Sequence, residues 1–80
     1  MKAEAKIESL DKYLVERALH FHKMMKLNEK AYQLAKTKKE KSEFEEGALM
    51  FRARWASIMD IIEREGIEEK YYEAYAKELA

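Results

Sequence analysis

A chain of 80 residues is long enough for one small domain, and its 16 basic and 16 acidic side chains leave no net charge. This balance excludes the uniformly basic surface that is typical of nucleic-acid-binding domains, so nucleic acid is an unlikely partner. The absence of cysteine excludes disulfides and thiolate metal sites, and it indicates a reducing compartment, so we expect a cytoplasmic location.

The composition predicts an all-α fold in a single domain. Proline is absent, glycine occurs twice, and Ala, Leu, Lys, Glu, Arg and Met dominate. We expect helices at about residues 3–36, 43–65 and 68–79, arranged as a long antiparallel helical hairpin followed by a short third helix. No segment has the apolar length of a secretory signal or a membrane span, so no membrane association is expected.

The first helix carries two neighbouring apolar rows. The main row, at spacings of three and four, contains Ile7, Leu10, Leu14, Ala18, Phe21, Met25, Tyr32 and Ala35. The second row contains Tyr13, Met24, Leu27, Ala31 and Leu34. Together they cover about half of the circumference, more than one neighbouring helix can bury.

Residues 36–42 contain no apolar side chain and predict the turn of the hairpin. Two capping boxes overlap there, Thr37 with Glu40 and Ser42 with Glu45, and we expect Ser42 to be the N-cap because Phe44 follows it. A continuous helix is the alternative. Four lysines in or beside this turn could contact phosphate, namely Lys36, Lys38, Lys39 and Lys41, but interleaved glutamates favour a solvated turn.

The second helix presents the strongest apolar face of the chain: Phe44, Ala48, Phe51, Trp55, Ile58 and Ile62. It predicts Trp55 at the centre of the hairpin core. A turn near Lys39 would place Phe21 near Ile58 and Met25 near Trp55. Glycine inside a helix is costly, so Gly47 indicates a place where the backbones of two helices approach closely.

Gly66 predicts the end of the second helix, with Ile67 folding back on Ile62 in a Schellman-type cap. The third helix then offers Tyr71, Tyr72, Tyr75 and Leu79 on its apolar side, and we expect it to cover Ile7, Leu10 and Leu14. The three tyrosines serve either as a contact surface for a partner or in packing within the chain.

No arrangement of residues indicates catalysis. His20 and His22 are two residues apart, so on a helix their rings point in different directions and do not share a metal ion. Neither a nucleophile elbow nor a phosphate-binding loop occurs. We expect no enzymatic activity, no cofactor and no metal, although either histidine could form a pH-sensitive contact.

Residues 30–66 contain an aromatic residue, a glycine, an alanine–aromatic pair and an aliphatic–acidic ending. These are Phe44, Gly47, Ala53 with Trp55, and residues 58–63, with Arg54 interrupting the pair. In this respect the segment resembles small helical-hairpin proteins of unknown function from bacteriophages and mobile elements of Gram-positive bacteria. The resemblance implies a helical hairpin and no catalytic residue.

The surplus apolar surface predicts a protein–protein interaction module, for which the resemblance suggests a phage-encoded modulator or inhibitor of a host system. So small a core also favours a homodimer that completes a helical bundle of the coiled-coil type. The expected interface residues are Tyr13, Met24, Leu27, Ala31, Leu34, Met50 and Ile61, with Tyr71, Tyr72 and Tyr75. The alternatives are a nucleic-acid-associated accessory protein that uses the turn lysines and a purely structural or designed bundle.

Overall fold

The computed structural model describes residues 2–78, with side chains from Ser9 onward, and consists of three helices. These are α1 (Lys2–Leu34), α2 (Lys38–Glu65) and α3 (Glu68–Glu78). The predicted all-α class, with two long helices and a short third one, is confirmed. Ile7 and Leu79, which we expected in the packing of α3, lie outside the described side chains.

The turn between α1 and α2 lies earlier than expected. Thr37 is the N-cap of α2, with extended backbone (φ −115°, ψ 156°) and a side-chain oxygen that accepts the Glu40 N–H at 3.1 Å. The prediction of Ser42 as the cap was therefore wrong, and α2 begins at Lys38 instead of about residue 43. The Thr37 side chain caps the first turn, and the lysines after it are good helix formers, so nothing delays the helix to Ser42.

The earlier turn changes which residues of α1 and α2 face each other. Phe21 lies against Phe51, with ring centroids 6.2 Å apart, two turns of α2 away from the expected Ile58. Gly47 is a point of close approach between α1 and α2, since an added Cβ would lie 3.0 Å from Asn28 Cγ, but the predicted approach of two backbones was wrong. The approaching group is a side chain rather than a second backbone, and it is held by a bond from Asn28 Nδ2 to the Met24 carbonyl at 2.8 Å.

The turn between α2 and α3 has the predicted cap. Gly66 adopts the left-handed conformation (φ 69°, ψ 31°), and its N–H donates to the Glu63 carbonyl at 3.1 Å. The Ile67 N–H donates to the Ile62 carbonyl, also at 3.1 Å. These are the two hydrogen bonds of a Schellman motif. They reverse the chain within two residues and direct α3 back along the hairpin.

Two ion pairs define where α3 lies. Lys70 near its start contacts Asp11 at 2.9 Å, and Glu78 at its end contacts Lys23 at 3.2 Å. The helix therefore runs in the same direction as α1 and covers its middle. We expected α3 to cover Leu10 as well, but Leu10 is 60% exposed. Leu14 is partly buried against the core.

The core lies where all three helices meet. Its buried side chains are Val15, Ala18, Leu19, Met59, Ile62, Ile67 and Tyr71. Trp55 is only partly buried, which contradicts its expected central position. It borders the core and donates from Nε1 to the Tyr71 hydroxyl at 3.0 Å. Ala18, Ile62 and Tyr71 are the most completely buried of these side chains, and they lie where α3 closes the hairpin. Phe21 and Met25 are also buried and continue the packed face of α1 toward the first turn.

Candidate protein-binding surface

Apolar side chains remain exposed along α1 from Leu10 to Leu34. Leu27 is 58% exposed and Leu34 71%, and Leu10 and Tyr13 are also exposed. Met24 and Ala31, which lie between them, are half-buried. The five residues predicted as the second row of the first helix therefore do line a surface that no other part of the described chain covers completely.

The residues that line this surface are spaced more regularly along α1 than the predicted second row. We define the outer row as Leu10, Tyr13, Arg17, His20, Met24, Leu27, Ala31 and Leu34. Its members alternate strictly in steps of three and four, the heptad pattern of a coiled-coil seam. Leu10 was not included in the predicted second row because it was assigned to the packing of α3. Arg17 and His20 were not included because they are polar.

The outer row lies on the side of α1 away from α3. Tyr13 is about two and a half turns from His22, which contacts α3, so the two side chains point in opposite directions. On α2, Ile61 lines a shallow groove of about 270 Å³ together with Leu10 and Tyr13. Met50 precedes Ile61 by about three turns and so shares its face. The structure thus brings the predicted Met50 and Ile61 to the same side of the hairpin as the outer row.

Two arginines lie near the middle of this surface. The guanidinium of Arg17 is 4.7 Å from the centroid of the Phe21 ring, and that of Arg54 is 5.9 Å from the centroid of Phe51. Because Phe21 and Phe51 pack on each other, the two arginines cover an aromatic pair from outside. The surface therefore has apolar ends and a positively charged centre.

The three tyrosines of α3 do not form one contact surface. Tyr71 is 2% exposed and belongs to the core, so its predicted place in an interface is wrong. Burial raises the pKa of its hydroxyl, and the hydrogen bond from Trp55 opposes that effect. Tyr72 is 59% exposed, and Tyr75 packs edge-on against His22 with centroids 5.2 Å apart.

His22 occupies a distinct position between the helices. Its ring lies 6.0 Å from that of Trp55, and its buried Nδ1 has no hydrogen-bond partner. Burial lowers the pKa of His22, Lys26 lowers it further, and Glu29 acts in the opposite direction. Among the described side chains, from Ser9 to Glu78, no three of His, Asp or Glu gather closely enough to hold a metal ion.

The four turn lysines, Lys36, Lys38, Lys39 and Lys41, are exposed at the tip of the hairpin. Lys41 lies with its Nζ 5.8 Å from the Tyr32 ring centroid. None of the four forms an ion pair with another described residue. The turn is thus a compact group of lysines that has little aromatic surface for base stacking.

Comparison with protein-family models, with curated proteins and with solved structures finds no match to this chain. None of the described helices combines the length and the apolar character needed to cross a membrane. The function of this chain is therefore inferred from the surfaces described above.

Proposed function

We propose that this chain is a non-enzymatic protein-binding module that uses the outer row of α1, bordered by Met50 and Ile61. The observation that carries the proposal is the exposure of Leu27 and Leu34 on a face of α1 that neither α2 nor α3 covers. Monomeric proteins seldom leave neighbouring apolar side chains such as Met24, Leu27, Ala31 and Leu34 uncovered without a use, and such patches are typical of interaction sites.

The residue types along the row also favour a protein partner. Tyrosine, methionine and arginine are enriched in protein interfaces, and the row and its border contain Tyr13, Met24, Met50 and two arginines. A long, shallow, helical surface suits another helix better than it suits a small molecule, which binds in an enclosed pocket.

The resemblance to phage helical-hairpin proteins extends this proposal to a phage-encoded modulator or inhibitor of a host system. In that role the module would occupy a helix-binding surface of a bacterial protein and thereby block or redirect it. The small size of the chain and its lack of catalytic groupings suit action by binding alone.

Affinity capture from a lysate of a Gram-positive bacterium tests the proposal. The bait is the tagged wild-type chain, and the test variant carries Leu27→Lys with Leu34→Lys. The matched control is Leu49→Lys, because Leu49 is 59% exposed but lies about 100° around α2 from Met50. We expect the wild type and the control to capture the same proteins and the double variant to lose them. Equal capture by all three baits would contradict the proposal.

A second candidate function uses the turn lysines to bind nucleic acid. What supports it is the grouping of four exposed lysines that have no acidic partner among the described residues. Binding to a short DNA or RNA duplex at low salt should then weaken steeply with added salt and on replacement of the four lysines by glutamine. No binding at low salt would exclude this function.

A further inference from the structure

We propose that the outer row is covered by the same row of a second copy, packed antiparallel, with the two-fold axis between His20 and Met24. This inference rests on the proposed function, since it names the partner of the same surface. The chain then forms a symmetric dimer with the two α1 helices at its centre.

The spacing of the row favours a helical partner of equal length. Strict steps of three and four keep one seam facing a neighbouring helix over many turns. From Leu10 to Leu34 this seam is about 36 Å long at 1.5 Å per residue. A second α1 offers a seam of the same length, so no layer is left unmatched.

The antiparallel direction follows from the side chains that would meet. In a parallel pair, Arg17 would face Arg17 and His20 would face His20, and Tyr13 would meet another Tyr13. In the antiparallel pair, the tyrosine packs against the small Ala31, and each polar side chain meets an apolar one. The layers then pair Leu10 with Leu34, Tyr13 with Ala31, Arg17 with Leu27, and His20 with Met24.

The charges beside the seam agree with this direction. Glu16 lies between Tyr13 and Arg17, and Lys30 lies between Leu27 and Ala31. Antiparallel pairing sets Glu16 of one copy beside Lys30 of the other, and the two-fold axis repeats the pair. Lys23 approaches its own equivalent near the axis, but its charge is already matched by Glu78 at 3.2 Å.

Light scattering and cross-linking test the dimer and its direction. We expect a mass of about twice 9.6 kDa at micromolar concentration. Because the chain has no cysteine, single cysteines can be introduced without interference. A mixture of Tyr13→Cys and Ala31→Cys chains should be joined by a short bismaleimide, whereas neither variant alone should form a covalent dimer. In an antiparallel dimer of one variant, the two identical cysteines would lie about 27 Å apart along the seam, beyond the reach of a short bismaleimide.

Two variants of opposite charge at position 27 test the register of the two α1 helices in the dimer. The proposed layers place Leu27 opposite Arg17 of the second copy. Leu27→Lys should therefore weaken dimerisation about tenfold or more relative to Leu27→Glu, whose carboxylate that arginine can neutralise. Leu49→Lys should leave the dimer unchanged, and circular dichroism verifies that each variant is helical.

Three results would overturn the inference: a monomer at high concentration, covalent dimers of either cysteine variant alone, or equal effects of Lys and Glu at position 27. Its failure is distinguishable from that of the proposed function. A monomer that still captures bacterial proteins through the outer row retains the function without the dimer. A dimer that captures nothing retains the symmetric interface without a heterologous partner.

Discussion

Gly66 holds a left-handed backbone conformation (φ 69°), which only glycine and, to a lesser extent, asparagine adopt at low cost. An added Cβ would meet nothing within 4 Å, so a larger residue here is opposed by its backbone alone. We predict that Gly66→Val destabilises the fold by about 1–2 kcal/mol, whereas Gly66→Asn costs clearly less. Urea denaturation of both variants measures the difference, and equal losses would show that the left-handed cap is not the cause.

At His22, burial favours the neutral imidazole in the folded state, because it lowers the pKa below the ordinary value of 6.5. The folded chain then binds fewer protons than the unfolded one. The contribution of neutral His22 to the free energy of unfolding is complete above about pH 6.5. It is lost as the pH falls through the lower pKa of His22 in the folded state. We predict that the melting temperature decreases between pH 7.5 and 5.5.

His22→Phe should flatten that decrease, because its ring can keep the packing against Trp55 and Tyr75 without taking up a proton. If the wild type and His22→Phe lose melting temperature equally over this interval, titration of His22 is not responsible.

Among the elements, α3 contributes one fully buried side chain to the core, that of Tyr71. Tyr71 and Tyr72 are adjacent and chemically identical, but the first is 2% exposed and the second 59%. We predict that Tyr71→Ala destabilises the fold by about 3–4 kcal/mol, as expected for loss of a large buried ring. Tyr72→Ala should change stability by less than about 0.5 kcal/mol. Urea unfolding followed by circular dichroism compares the two, and similar losses would contradict the placement of α3.

The stability of the whole molecule should depend on its concentration if the proposed dimer forms. Burial of the outer row then adds to the free energy of unfolding by mass action. We predict that the melting temperature rises with each tenfold increase in protein concentration. The Leu27→Lys variant should show a much smaller rise. A wild-type melting temperature that is constant from low to high micromolar concentration would contradict the prediction.

Local interactions were predictable from the sequence because they involve residues within one or two turns. The helical character of the chain, the apolar rows and the cap formed by Gly66 and Ile67 all belong to this group. The cost of a glycine inside a helix also indicated a close approach at Gly47, but the side chain that approaches it, Asn28, belongs to another helix and could not be identified from local spacing. The same spacing also identified most of the outer row before its exposure was known.

Tertiary structure alone decided which of these rows is covered. Two capping boxes overlapped around the first turn, and use of the one at Thr37 rather than Ser42 moved Phe21 opposite Phe51. The path of α3 then buried Tyr71, exposed Tyr72 and left Leu10 uncovered. Sequence spacing specifies which residues share a face of a helix. Whether that face is buried depends on the residue at which each turn occurs and on the side of the hairpin against which the next helix packs.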